Sequence, residues 1–206
     1  MNTFFKVSLA ALYVFPSSIA EHCNCNPEGT LETLTQVFEH RDAWTFLSSS
    51  ATLYLLYLPA TLRIGAAQCV TSTLREPTPV YPEVKRRISY TNASLQANNR
   101  QNKDITLTMG EKNIKNKRST YFTTHDFPRI GEVFPVVYSD SRCLIYQILR
   151  ETFDGKTGCA LWVKQISKDN LLLYCKFIYN FFCGVSHRTV YAKQTCDTLV
   201  PEEEKS

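Results

Sequence analysis

The sequence predicts an all-β fold of about eight antiparallel strands in an up-and-down barrel, with helices only at the two ends. Three observations carry this. Short β-type runs follow one another at close spacing with turn residues between them. Apolar residues recur at helical spacing only near the start and the finish of the chain. Finally, the two runs around Asp154-Gly155 form a hairpin that is apolar on both faces, so it needs an interior on one side and a cover on the other. A barrel of about eight strands encloses one small ligand. An open sandwich is the alternative arrangement of the same strands.

The first twenty residues differ in kind from the rest. Lys6 precedes the apolar run Val7 to Phe15, Pro16 breaks it, and Ser18 and Ala20 supply small residues for cleavage. This pattern predicts a secretory signal peptide over 1–20 and a single domain over 21–206, soluble and extracellular. A helix capped by Thr30 follows, with Leu31, Leu34, Val37 and Phe38 at helical spacing, ending near Trp44 to Leu47. Strands are predicted at 53–58, at 68–74 with Cys69, at 84–91 after the Pro-rich connection 77–82, and then at 105–109, 118–124 and 133–138.

The hairpin fixes parity. Cys143, Ile145 and Gln147 share one face of its first strand and Leu144, Tyr146 and Ile148 the other; in the second, Cys159, Leu161 and Val163 lie opposite Ala160, Trp162 and Lys164. The cysteine face needs the cover. A helix from Ser167, as its cap, to Gly184 supplies it, with Leu171, Cys175, Ile178 and Phe182 at helical spacing. The face with Tyr146 and Trp162 is left to line the interior.

Composition narrows the function. A net charge of +4 is too small to point to nucleic acid, and no segment after the leader offers the ~18 uninterrupted apolar residues of a membrane span. All eight cysteines lie beyond the leader, where an even count in an oxidising compartment favours disulfides. Asn92 heads the only N-glycosylation triplet, Asn92-Ala93-Ser94, and is expected to carry a glycan at an exposed position. His22, Cys23 and Cys25 have no second ligand pair at zinc spacing, so no metal or cofactor is predicted. Lys112, Lys115, Lys117 and Arg118 read as a solvated turn rather than a polyanion site. In Lys85-Arg86-Arg87, alternation turns Lys85 and Arg87 outward and leaves Arg86 open. There is no nucleophile elbow, no His-Glu-x-x-His, and the four histidines are isolated, so the chain is not read as an enzyme.

Cys69-Val70, Glu132-Val133-Phe134, Val137-Tyr138-Ser139-Asp140, Cys143, the run Cys159 to Val163, Cys175, and Tyr191 with Cys196 together resemble the tick salivary lipocalins, the group that includes the tick histamine-binding proteins. The resemblance spans nearly the whole mature chain. It implies an eight-stranded lipocalin barrel with a C-terminal helix against its wall, secreted in saliva to sequester small mediators of host defence. It also implies the pairs Cys69 with Cys196 and Cys143 with Cys175, after which Cys159 with Cys183 is the natural third; Cys23 and Cys25 stay unassigned. Amine-binding members carry acidic residues where this chain has Leu144 and Ala160. A buried amine needs an opposing carboxylate, which shifts the expected ligand from histamine towards a fatty acid or leukotriene. Asp126, Glu132 and Asp140, placed near the rim, are the remaining sources of counter-charge. The candidate ligand-binding residues are Trp162, Tyr146, Leu144, Ala160, Phe134, Tyr121, Phe122, Tyr138 and Tyr90, with the small molecule as the main partner of a monomer. The alternative is a protein-binding lipocalin acting through its outer surface on a host plasma protein such as a complement component.

Overall fold

The computed structural model describes residues 41–62, 67–92, 100–114, 117–149, 158–169 and 172–200. The predicted signal peptide, Cys23, Cys25, the predicted turn at Asp154-Gly155 and most of the predicted N-terminal helix lie outside them. Where that helix was expected to end, a separate short helix α1 (Trp44–Leu47) follows the non-helical residues 41–43. Eight strands follow: β1 (Leu53–Pro59), β2 (Ala67–Leu74), β3 (Glu83–Asn92), β4 (Arg100–Ile114), β5 (Lys117–Thr123), β6 (Val133–Ser139), β7 (Cys143–Ile148) and β8 (Gly158–Lys164). Each pairs antiparallel with the next, and β1 pairs with both β8 and β2, which closes the barrel. The open sandwich is thereby excluded. Asn92 ends β3 half-buried, with the rest of its triplet outside the described residues.

Parity along the hairpin sorts the apolar residues into two cores. Leu144 faces Trp162 and Tyr146 faces Ala160 across β7 and β8, and these four belong to the barrel interior. Cys143, Ile145, Cys159, Leu161 and Val163 belong to a second core between the outer wall and the C-terminal helices. One slip of register would exchange the two sets, so burial on both faces pins the pairing.

The cover is built in pieces rather than as one helix. Gln165–Lys168 forms a short α2 and Leu173–Cys183 forms α3. Ser167 does not cap the long helix; it is buried inside α2, and no side chain caps α3. Gly184 ends α3 at φ 78°, a left-handed conformation that glycine adopts without steric cost. Cys175 and Cys183 of α3 are bonded to Cys143 of β7 and Cys159 of β8, so both ends of the helix are fastened to the wall. Beyond it, a ninth strand β9 (His187–Thr189) adds to the end of β1, and α4 (Lys193–Leu199) carries Cys196 to Cys69 on β2. Neither β9 nor α4 has a sequence signal, because three residues are too few for a period and α4 is polar along most of its length.

An ionic cluster docks α4. The side chain of Lys168, only 8% exposed, lies between the rings of Tyr54 and Tyr191 and bonds Asp197 at 2.9 Å and Asp169 at 3.1 Å. Tyr191 Oη donates to Asp197 at 2.7 Å. The Lys193 hydrogen bond leads in holding Asp169 below the usual carboxylate range. At Asp197 burial pushes upward, yet the bonds from Lys168 and Tyr191 outweigh it and the net shift is also down. Depressed carboxylates stabilise the fold above their unfolded value and lose that contribution as pH falls through the folded one. Exchange protection of the amides of 193–199, corrected for intrinsic rate, is therefore expected to drop below about pH 4 while the strands stay protected.

Candidate functional site: a cavity inside the barrel

The barrel encloses a cavity of about 570 Å³, within the ~300–1,000 Å³ of pockets that bury a small ligand. Because β1, β3, β5 and β7 all run away from α1, the floor lies at the α1 end. The mouth lies at the opposite end, where the β5–β6 connection 124–132 supplies Asp126, Phe127 and Arg129 to the lining.

Aromatic rings form much of one wall. Phe122 and Phe134 stack at 5.2 Å between centroids, and Tyr146 sets its edge against them at 4.9 and 5.5 Å. These contacts follow from register: Phe122 faces Phe134 across β5 and β6, and Val136 faces Tyr146 across β6 and β7. Trp162 Nε1 donates to Tyr146 Oη at 3.2 Å, and both side chains line the cavity. Burial pushes the Tyr146 phenol up to about 12, with the Trp162 bond opposing, so it stays protonated at any physiological pH.

The floor is organised by Arg86, whose inward position alternation had left open. It is 1% exposed. Its Nε donates to Ser72 Oγ, one terminal nitrogen to the carbonyls of Leu47 and Ser49, and the other to those of Ala51 and Ser72, at 2.6–3.2 Å. All five N–H groups of the fork are used, and the guanidinium thereby ties α1 and the turn after it to β2. Burial lowers its pKa to about 9, which leaves it ionised near neutrality.

Among the described residues four charged side chains touch the cavity: Arg86 at the floor, and Lys103, Asp126 and Arg129 towards the mouth. The Asp126 carboxylate is already engaged, accepting from the Thr106 amide at 2.9 Å and from Thr124 Oγ1 at 3.1 Å. Lys103 Nζ donates to the Asp126 carbonyl and sits 4.9 Å from the Phe127 ring centroid. Arg129 is exposed and has no hydrogen bond or ion pair among the described residues. The described lining is thus mostly apolar, with an excess of cations among its residues.

Of the sequence-predicted residues, Trp162, Tyr146, Leu144, Phe134, Phe122 and Tyr90 line the cavity. Three do not. Ala160 faces inward but is 0% exposed and packs opposite Tyr146, behind the lining. Tyr121 alternates with Phe122 and lies on the other face, where a Cβ at the opposing Gly110 would come within 2.5 Å of its ring. Gly110→Ala is accordingly expected to displace that ring and lower stability by about 1–3 kcal/mol in a urea melt. Tyr138 belongs to the outer core: a bulge between Val136 and Tyr138 reverses parity, so the ring packs against Tyr174 and its hydroxyl donates to Asp140. Asp140 lies away from the rim too, in the β6–β7 turn, accepting from the amides of Arg142 and Cys143. Glu132 is exposed beside His125 and lies off the cavity. Arg86 escaped sequence reasoning although Tyr90, assigned inward, shares its parity on β3. Phe127 and Arg129 sit in a loop, where no periodicity points inward.

The sequence pattern described as tick histamine binding protein matches residues 31–198. No curated protein matches the chain. Among solved structures the chain is similar to japanin from Rhipicephalus appendiculatus bound to cholesterol, with a TM-score of 0.53 and 16% identity over 72% of this chain and 97% of japanin. That likeness establishes the shared barrel fold. With the match covering most of its length, the chain belongs to the tick histamine binding protein family, a family of ligand-binding proteins rather than enzymes.

Proposed function

We propose that the protein is a secreted scavenger whose barrel takes up an apolar mediator with an anionic head group, a fatty acid or leukotriene in preference to histamine. The observation that carries this is the charge of the described lining: among the described residues three cations face one carboxylate, and that carboxylate already accepts from the Thr106 amide of β4 and from Thr124 of its own loop. A protonated amine would enter a site that repels it, since Leu144 and Ala160 stand where amine-binding relatives carry acids. A carboxylate head would meet Lys103 and Arg129 while its tail lies along Ile88, Ile105 and Leu107. Japanin, of the same fold, holds cholesterol, which is also apolar and uncharged by amine. The leader over 1–20 and the three disulfides support secretion.

Titration with oleic acid, histamine and serotonin, followed through Trp162 fluorescence, tests the reading. Oleic acid is expected to bind and quench; saturation by histamine with no response to the acid would reject it. Replacing Lys103 and Arg129 together by Glu is expected to weaken fatty-acid binding about 10- to 100-fold, measured calorimetrically.

A second reading has its own observation. The outer face of α3 exposes Leu173 (85%) and Phe177 (60%), and Val185 follows at 77%, as a surface that docks a host protein would. Binding of no small molecule at all would favour it.

A further inference from the structure

We infer that the Tyr146 hydroxyl is a specificity-determining donor, so that the cavity selects an apolar ligand bearing an acceptor oxygen, a hydroxyl or ketone, partway along its length. This rests on the reading of the cavity as a ligand site and narrows the ligand within it. A phenol can donate one hydrogen bond and accept others. At Tyr146 the accepting side is taken by Trp162 Nε1–H at 3.2 Å. The donating side meets no protein acceptor among the described residues, although the side chain sits inside the barrel and lines the cavity. A buried donor without an acceptor is costly, and here the vacant direction is the cavity itself. The indole bond also fixes the orientation of the hydroxyl, because turning it elsewhere would forfeit that contact. Its depth is defined by the strand: Tyr146 stands between Leu144 and Ile148, both cavity-lining, so the donor lies at mid-height, away from the cations at the mouth. The high pKa of the phenol keeps the proton in place over the whole physiological range.

The test compares stearic acid with a series of hydroxystearic acids in which one hydroxyl is moved along the chain. At one position, or two adjacent ones, the hydroxy acid is expected to bind about 3- to 10-fold more tightly than stearic acid. Tyr146→Phe should abolish that gain, bringing the affinity ratio of hydroxy acid to stearic acid to about one. Trp162→Phe, which removes the bond that orients the phenol, should reduce the gain without abolishing it. No gain at any position, or a gain that survives Tyr146→Phe, overturns the inference. If neither class of acid binds, the head-group reading fails instead, and the donor is probed with a neutral pair, cholesterol and 5α-cholestane. Preference for cholesterol that Tyr146→Phe removes supports the inference, and equal or absent binding of the two sterols overturns it.

Discussion

Replacing Arg86 with methionine is expected to destabilise the protein by about 3–5 kcal/mol, read as a urea midpoint shift at unchanged slope. The carbonyls of Leu47, Ser49, Ala51 and Ser72 and the Ser72 hydroxyl all depend on this one side chain. Each orphaned buried acceptor costs about 1–3 kcal/mol. Removing the desolvated cation offsets part of that, and methionine refills much of the volume. Arg86→Lys should rescue little, because an ammonium is a point donor that cannot span carbonyls spread around a planar fork. The two variants separate geometry from charge: a lysine variant as stable as the wild type would show that the positive charge, not the fork, holds the floor.

The double variant Cys69→Ala/Cys196→Ala should lose about 5 kcal/mol at most in the chain-entropy treatment, because the bridge closes the longest loop of the three, with 127 residues of separation against 32 and 24. At this chain length that corresponds to a Tm lower by roughly 10–20 °C. The local consequence is as informative. Cys69 holds φ at 52° in a bulge of β2, a region non-glycine residues seldom occupy. Its amide donates to the Val190 carbonyl at 2.9 Å, and the bridge fixes the same contact from the side chain. Without it α4 and the Val190 turn should loosen from β2. Proteolysis is then expected near 190–193 before any strand is cut.

Much of the barrel could be read in the chain because the hairpin is apolar on both faces, and parity alone then separates Leu144, Tyr146 and Trp162 from Cys143, Cys159 and Leu161. Parity also marks where legibility ends. It holds only while the strand is regular, and the bulge after Val136 carried Tyr138 from the predicted wall to the helix side. Adjacent candidates cannot both face inward, so Tyr121 and Phe122 had to divide. Arg86 is a different kind of miss. An arginine on an alternating strand looks solvated until the carbonyls that satisfy it are known, and those come from a turn about 35–39 residues upstream. The mouth was the least legible, since Phe127 and Arg129 take their positions from loop geometry.

The central claim is that the cavity prefers an anionic head to a cationic one on the same apolar tail. Competitive titration of oleic acid against oleylamine isolates that preference, because the tails match and the head charges differ in sign. The lining predicts that the acid binds at least about tenfold more tightly at neutral pH and low salt. Equal binding, or tighter binding of the amine, would contradict the account and return the chain to amine capture.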